Sequence, residues 1–170
     1  MGYNQNEYLS VKETLEDYDC KVTTVSTQSG TAAAHHPEST VVDESKPTTA
    51  HVDLTVDEVN ALDYQGIFVI GGPGTTRHLS THNVHKLLSD ARNFDLYYGG
   101  IGTACRVLAD ANVVRDKQAT GWNDDNKLPE ALESAGCSYV HENLVVSDHL
   151  ITAKSHAAKQ FAETIAHKVS

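Results

Sequence analysis

The chain has 170 residues, 39% of them hydrophobic and 21% charged, with a formal net charge of -10. That length suits one domain with a full core, and no apolar run approaches the roughly 18 residues of a membrane-spanning helix. Acidity of this size lacks the clustered Lys and Arg that phosphate-backbone binding needs, so neither nucleic acid nor membrane is an expected partner.

The polar start, MGYNQNEY, does not read as a signal peptide. Tyr8, Leu9, Val11, Leu15 and Tyr18 recur at roughly helical spacing, and the β-branched run at 21–26 (KVTTVS) predicts a strand after that helix. Residues 27–51 are rich in Ser, Thr, Ala, His and Pro, too polar for core, with Val41 and Val42 as a candidate short strand. Thr55 with the acids behind it resembles a capped helix start over 55–59. Residues 66–70 form a continuous apolar strand of the kind buried on both faces, and Val84, Leu87, Leu88 and Ala91 mark an amphipathic helix over 83–93. A strand at 96–101 feeds a helix at 103–111.

A short strand near Ala119 and Thr120 comes next, then a helix at 129–134 and strands near Tyr139, at 144–147 and at 150–152. The last helix, 157–169, would bury Ala158, Phe161, Ala162, Ile165 and Val169. Strand and helix alternate throughout, which predicts an α/β layered fold with a mainly parallel sheet and helices on both faces. No repeat or linker divides the chain, so residues 1–170 are read as a single domain.

Two runs carry the chemistry. IFVIGGPG (67–74) and YYGGIGTACRVL (97–108) are each a strand closing in a glycine turn, the arrangement that holds a reactive side chain above a parallel sheet. The apex of the second turn is Gly102, which has no side chain. Cys105, three residues on, is the rival nucleophile; a packed structural thiol is the plainer reading of it, as for Cys20 and Cys137. Three scattered cysteines without a CxxC pair suit a reducing cytoplasm. The histidines are also scattered: His35 and His36 fall in the polar stretch, His78, His82 and His85 around a helix start, and no set of metal ligands forms. No metal and no cofactor is expected. Asp63, Asp95 and the Asn123, Asp124, Asp125 cluster read as solvated turn residues, and Trp122 as a core residue or the border of a pocket or interface.

GYNQNEY, DYQGIFVIGGPGTTRHL, LADANVVRDKQATGW and the C-terminal ALESAGCSYVHENLVVSDHLITAKSHAAKQFAETIAHKV resemble, in order and spacing, the ThiJ/PfpI superfamily. The resemblance implies a flavodoxin-like three-layer sandwich, similar to class I glutamine amidotransferases, and a homodimer. Members carry a cysteine on the elbow; anchoring on Leu108, Ala111 and Thr120 puts that position at Gly102. Glu7 matches the acid that favours the family's thiolate, against the plainer reading that it complements the dipole of its own helix. Gly71, Gly72 and the Thr103 amide match an oxyanion site. Relatives also carry an apolar strand just before the segment matching residues 2–7, so the resemblance implies either that the recorded start is late or that the sheet has a gap for another segment or subunit to fill.

The resemblance therefore implies a member that has lost its cysteine nucleophile and binds a small molecule or serves a stress-associated role. The alternatives are an active hydrolase, glyoxalase or deglycase using Cys105 or a water activated by Glu7, and a structural subunit completing a partner's sheet.

Overall fold

Helix α1 (Gln5–Asp17) begins where Asn4 accepts the Glu7 backbone N–H on its side chain at 3.0 Å, and it turns Glu7, Val11 and Thr14 inward at the spacing of one helical face. In the computed structural model, which describes residues 2–33 and 49–170, the chain continues through β1 (Val25–Ser26), β2 (Gly30–Ala33), β3 (Thr49–Val52) and β4 (Leu54–Thr55). The expected strand at Val41 and Val42, and His35 and His36, lie outside the described residues. Next come β5 (Gly66–Val69), α2 (Thr75–Leu79), α3 (His82–Asn93), β6 (Tyr97–Ile101) and α4 (Ala104–Asp110). The last elements are β7 (Gln118–Ala119), α5 (Leu128–Ser134), β8 (Ser138–Tyr139), β9 (Leu144–Ser147), β10 (Leu150–Ala153) and α6 (Ala158–Val169).

The central sheet has the order β5-β6-β10-β9, with β5, β6 and β10 parallel and β9 antiparallel. Side chains alternate across it, as the two-residue strand period requires. Tyr98 and Leu150 join a core closed by Leu88 of α3, Leu108 of α4 and Leu132 of α5. Ile101 and Ile151 join a second core on the other face, with Val11 of α1 and Phe161 and Ile165 of α6. Two cores back to back, one per face of a mainly parallel sheet, make the three-layer α/β sandwich the alternation predicts.

Departures from the expected elements have local causes. Of the run at 21–26 only Val25–Ser26 forms a strand: the Asp53 carboxylate takes the Thr24 N–H at 2.8 Å, and β4, the partner, is two residues long. The expected helix at 55–59 is a single 3-10 turn, Val56–Glu58, because Asn60 accepts the Leu62 N–H on its side chain and starts a new turn. The polar stretch carries strands at both ends, β2 and β3, paired antiparallel with each other. Trp122 is half-buried, its indole beneath the Arg106 guanidinium at 5.2 Å and its Nε1 donating to Asp124 at 3.1 Å, so it is not a core residue. Asp125 pairs with Arg106, and the Asn123 side chain accepts the Leu128 N–H at 3.0 Å, so this cluster anchors the start of α5.

Candidate functional site

Strand β6 ends at Ile101 and α4 begins at Ala104, with Gly102 between them at φ +63°. That left-handed backbone is strained in any residue with a Cβ, and glycine adopts it freely. The elbow is fixed on both sides: Gly102 N–H donates to Ala153 at 2.9 Å, and its carbonyl accepts from Trp122 at 3.1 Å.

A side chain at Gly102 would point at Glu7. A Cβ built there falls far inside van der Waals distance of Glu7 Oε1 and 3.2 Å from its Cδ. The carboxyl of α1 thus stands where an elbow side chain would begin, and the open space that a glycine apex suggests is filled. Glu7 is only 2% exposed, and burial pushes its pKa from the ordinary 4.5 up to about 7. The Ser155 hydroxyl and the Gly71 backbone lie close enough to favour the charged form and offset part of that rise. Glu7 Oε2 nevertheless makes no hydrogen bond of acceptable geometry.

The glycine loop after β5 completes the site. A Cβ at Gly71 would sit 2.6 Å from the Ile101 carbonyl and 2.7 Å from Glu7 Oε2; one at Gly72 would meet the Asn4 nitrogen at 2.6 Å. Only backbone fits there. Asn4 N–H donates to the Gly71 carbonyl at 2.7 Å, which seats the start of α1 against this loop. Thr103 Oγ1 accepts the Gly72 N–H and donates to the Gly72 carbonyl, each at 2.9 Å. The Gly72 amide, expected as an oxyanion donor, is therefore engaged by a side chain.

Cys105 faces elsewhere. Fully buried in the core between the sheet and α3, α4 and α5, its sulfur points to the Gly100 carbonyl at 3.5 Å and lies against Gly121, where a Cβ would be 2.7 Å away. Burial first, then the negative charge of Glu7, pushes its thiol far above the usual range. Cys137 is pushed up to about 11, also by burial, and Cys20 is half-exposed. All three are free thiols. Among the described residues no group of three or more His, Cys, Asp or Glu could hold a metal ion, and no helix is long and apolar enough to cross a membrane.

The structure thus brings Glu7, Gly71, Gly72, Gly102 and Thr103 together and leaves Cys105 outside. A model of the DJ-1/PfpI family matches residues 1–168. The chain belongs to the DJ-1/PfpI family. An uncharacterised protein of Methanocaldococcus jannaschii is 31% identical over 105 residues, 61% of this chain and 51% of that protein, so the match spans about half the relative's length. A ThiJ/PfpI domain protein from Brachyspira murdochii superposes with a TM-score of 0.85 at 22% identity, over 99% of this chain and 90% of that one. Drosophila melanogaster DJ-1beta superposes with a TM-score of 0.77 at 21% identity, over 99% and 88%. At such identities the structural likeness speaks to the DJ-1/PfpI fold.

Three contributors to this DJ-1/PfpI site escaped sequence reasoning. Asn4 was legible, because Asn at an N-cap with Glu three residues later is a capping pattern. The Thr103 hydroxyl and Ser155 were not: each reaches a residue distant in the chain, and no local spacing signals it.

Proposed function

We propose that this chain is a DJ-1/PfpI protein without thiol chemistry, binding a small molecule at the elbow rather than forming a covalent adduct with it. The observation that carries the reading is the Glu7 carboxyl seated where the side chain of residue 102 would begin, with the nearest thiol, Cys105, turned into the core. Glu7 Oε2 is buried and without a hydrogen-bond partner. Below about pH 7 the carboxyl is largely protonated, so it can donate to a carbonyl or amide oxygen. A homodimer and a stress-associated role follow from the family resemblance alone.

A second reading has its own observation. A buried carboxyl with a pKa of about 7 is matched to general acid–base work near neutrality, so Glu7 could activate a water. Methylglyoxal consumption by the wild type, Cys105→Ser and Glu7→Gln separates these readings. The binding reading expects no protein-dependent turnover in any of them. Turnover lost only in Glu7→Gln replaces it with the acid–base reading, and turnover lost only in Cys105→Ser restores thiol catalysis.

A further inference from the structure

Strands β6 and β10 run parallel with Ile101 beside Ala153, so the next residue of each, Gly102 and Lys154, stand side by side at the carboxyl edge of the sheet. From that edge the chain leaves to opposite faces: α4 packs into the core of Leu88 and Leu132, and α6 into the core of Val11 and Phe161. Adjacent parallel strands whose connections part in this way open a crevice above their carboxyl ends, and ligands of open α/β sheets bind there. Gly102 borders that crevice on one strand and Lys154 on the other.

Lys154 is an exception among the basic residues. Four of those described are half-buried: Lys12, Arg106, Lys117 and Lys154. Lys12 pairs with Glu16, Arg106 with Asp125 and Lys117 with Asp148, whereas Lys154 has no carboxylate partner among the described residues, in a chain with 23 acidic residues against 13 basic ones. Its ammonium donates instead to two neutral oxygens, the Gly121 carbonyl at 3.2 Å and the Tyr139 hydroxyl at 3.1 Å. An ammonium carries three N–H donors, so one is left over. The charge is also held in place. Trp122, next to Gly121, donates its backbone N–H to the Gly102 carbonyl at 3.1 Å, the Tyr139 hydroxyl stands 3.3 Å from His141 Nδ1, and the Lys154 backbone N–H donates to the Asn143 carbonyl at 2.9 Å. A partly desolvated cation with a spare donor and no fixed counter-ion is stabilised most by an anion that brings its own charge.

Building on the elbow as a small-molecule site, on which this inference rests, we propose that Lys154 is its ionic anchor and selects a small monocarboxylate as the ligand. One carboxylate oxygen takes the spare Lys154 N–H, and the rest of the molecule lies over Gly102. One fixed cation matches one negative charge, and the net charge of -10 opposes a dianion such as sulfate.

The test titrates pyruvate, its neutral counterpart pyruvamide, and sulfate into the full chain at pH 6 while the amide NMR signals of Gly102, Gly121 and Lys154 are followed. Pyruvate should shift these amides saturably and bind at least about tenfold more tightly than pyruvamide or sulfate. Lys154→Met should remove that preference and leave pyruvamide binding as it was, whereas Lys159→Met, at an exposed position of α6, should change neither. The comparison of pyruvate with pyruvamide on the wild type needs no variant, so it decides the matter even if Lys154→Met fails to fold. Equal binding of the two at these amides overturns the ionic anchor and leaves the elbow as a site for neutral molecules. A preference that survives in folded Lys154→Met overturns it by placing the charge elsewhere, and sulfate binding as tightly as pyruvate overturns the choice of a carboxylate. Saturable shifts from none of the three would remove the anchor together with the small-molecule reading beneath it.

Discussion

Glu7→Gln isolates the proton held at the elbow. The wild-type carboxyl goes from 4.5 when exposed to about 7 when folded, with burial as the main cause. For an acid raised in this way the folded state binds more protons than the unfolded state between those two values. Its favourable contribution is complete below pH 4.5 and is lost as pH rises through about 7. At about 1.4 kcal/mol per pH unit the whole change is about 3 kcal/mol, of which about 2.5 kcal/mol falls between pH 5 and pH 8. Glutamine has the same shape and does not titrate. Subtracting the variant's urea-unfolding free energy from the wild type's at each pH cancels the other carboxylates and leaves the Glu7 contribution. The wild-type advantage should fall by about 2.5 kcal/mol from pH 5 to pH 8, a relative midpoint change of roughly 1 M urea. A difference that stays flat over this range, or rises with pH, would refute a carboxyl held neutral by burial.

Two further outcomes test the same geometry. Gly102→Ala should destabilise by about 1–3 kcal/mol through its positive φ alone, with more from the collision with Glu7. Adding Glu7→Ala should recover the collision part, giving a coupling above about 0.5 kcal/mol in a double-mutant cycle; additive losses would mean that the two groups do not touch. Iodoacetamide at pH 8 with peptide mass spectrometry should label Cys20 and spare Cys105 in the folded protein, because the Cys105 sulfur is inaccessible and its thiolate disfavoured. Labelling of Cys105 as fast as Cys20 would show that the elbow helix opens.

Where hydrophobic pattern decides structure, the sequence was readable. The apolar runs at 66–70 and 96–101 contain the strands Gly66–Val69 and Tyr97–Ile101, the second almost wholly buried and the first only partly, and α6 shows its inward stripe in Phe161, Ala162 and Ile165. Polar side chains that compete with backbone pairing were harder to see. Asn60 breaks the helix expected at 55–59, and Asp53 takes the Thr24 N–H from the strand expected at 21–26. Strands β2 and β3 contain no large aliphatic residue apart from Val52, so their pairing left no alternating pattern. Helix α2 has five residues, too few to show a period. At the site, Gly102 was legible as the apex of a strand-to-helix glycine turn and Glu7 came from family resemblance, yet their contact depends on how α1 docks on the sheet. Nothing local in either segment records that Glu7 fills the space Gly102 leaves.

The doubled hydrogen bond between Thr103 and Gly72 has a dynamic consequence. One hydroxyl both receives from and gives to the same glycine, so the turn after β5 and the turn after β6 are riveted to each other. Neither turn can swing away without breaking both bonds, and Asn4 extends the same linkage to the start of α1 through Gly71. The two turns and the start of α1, which border Glu7, are therefore expected to open as one cooperative unit rather than one at a time.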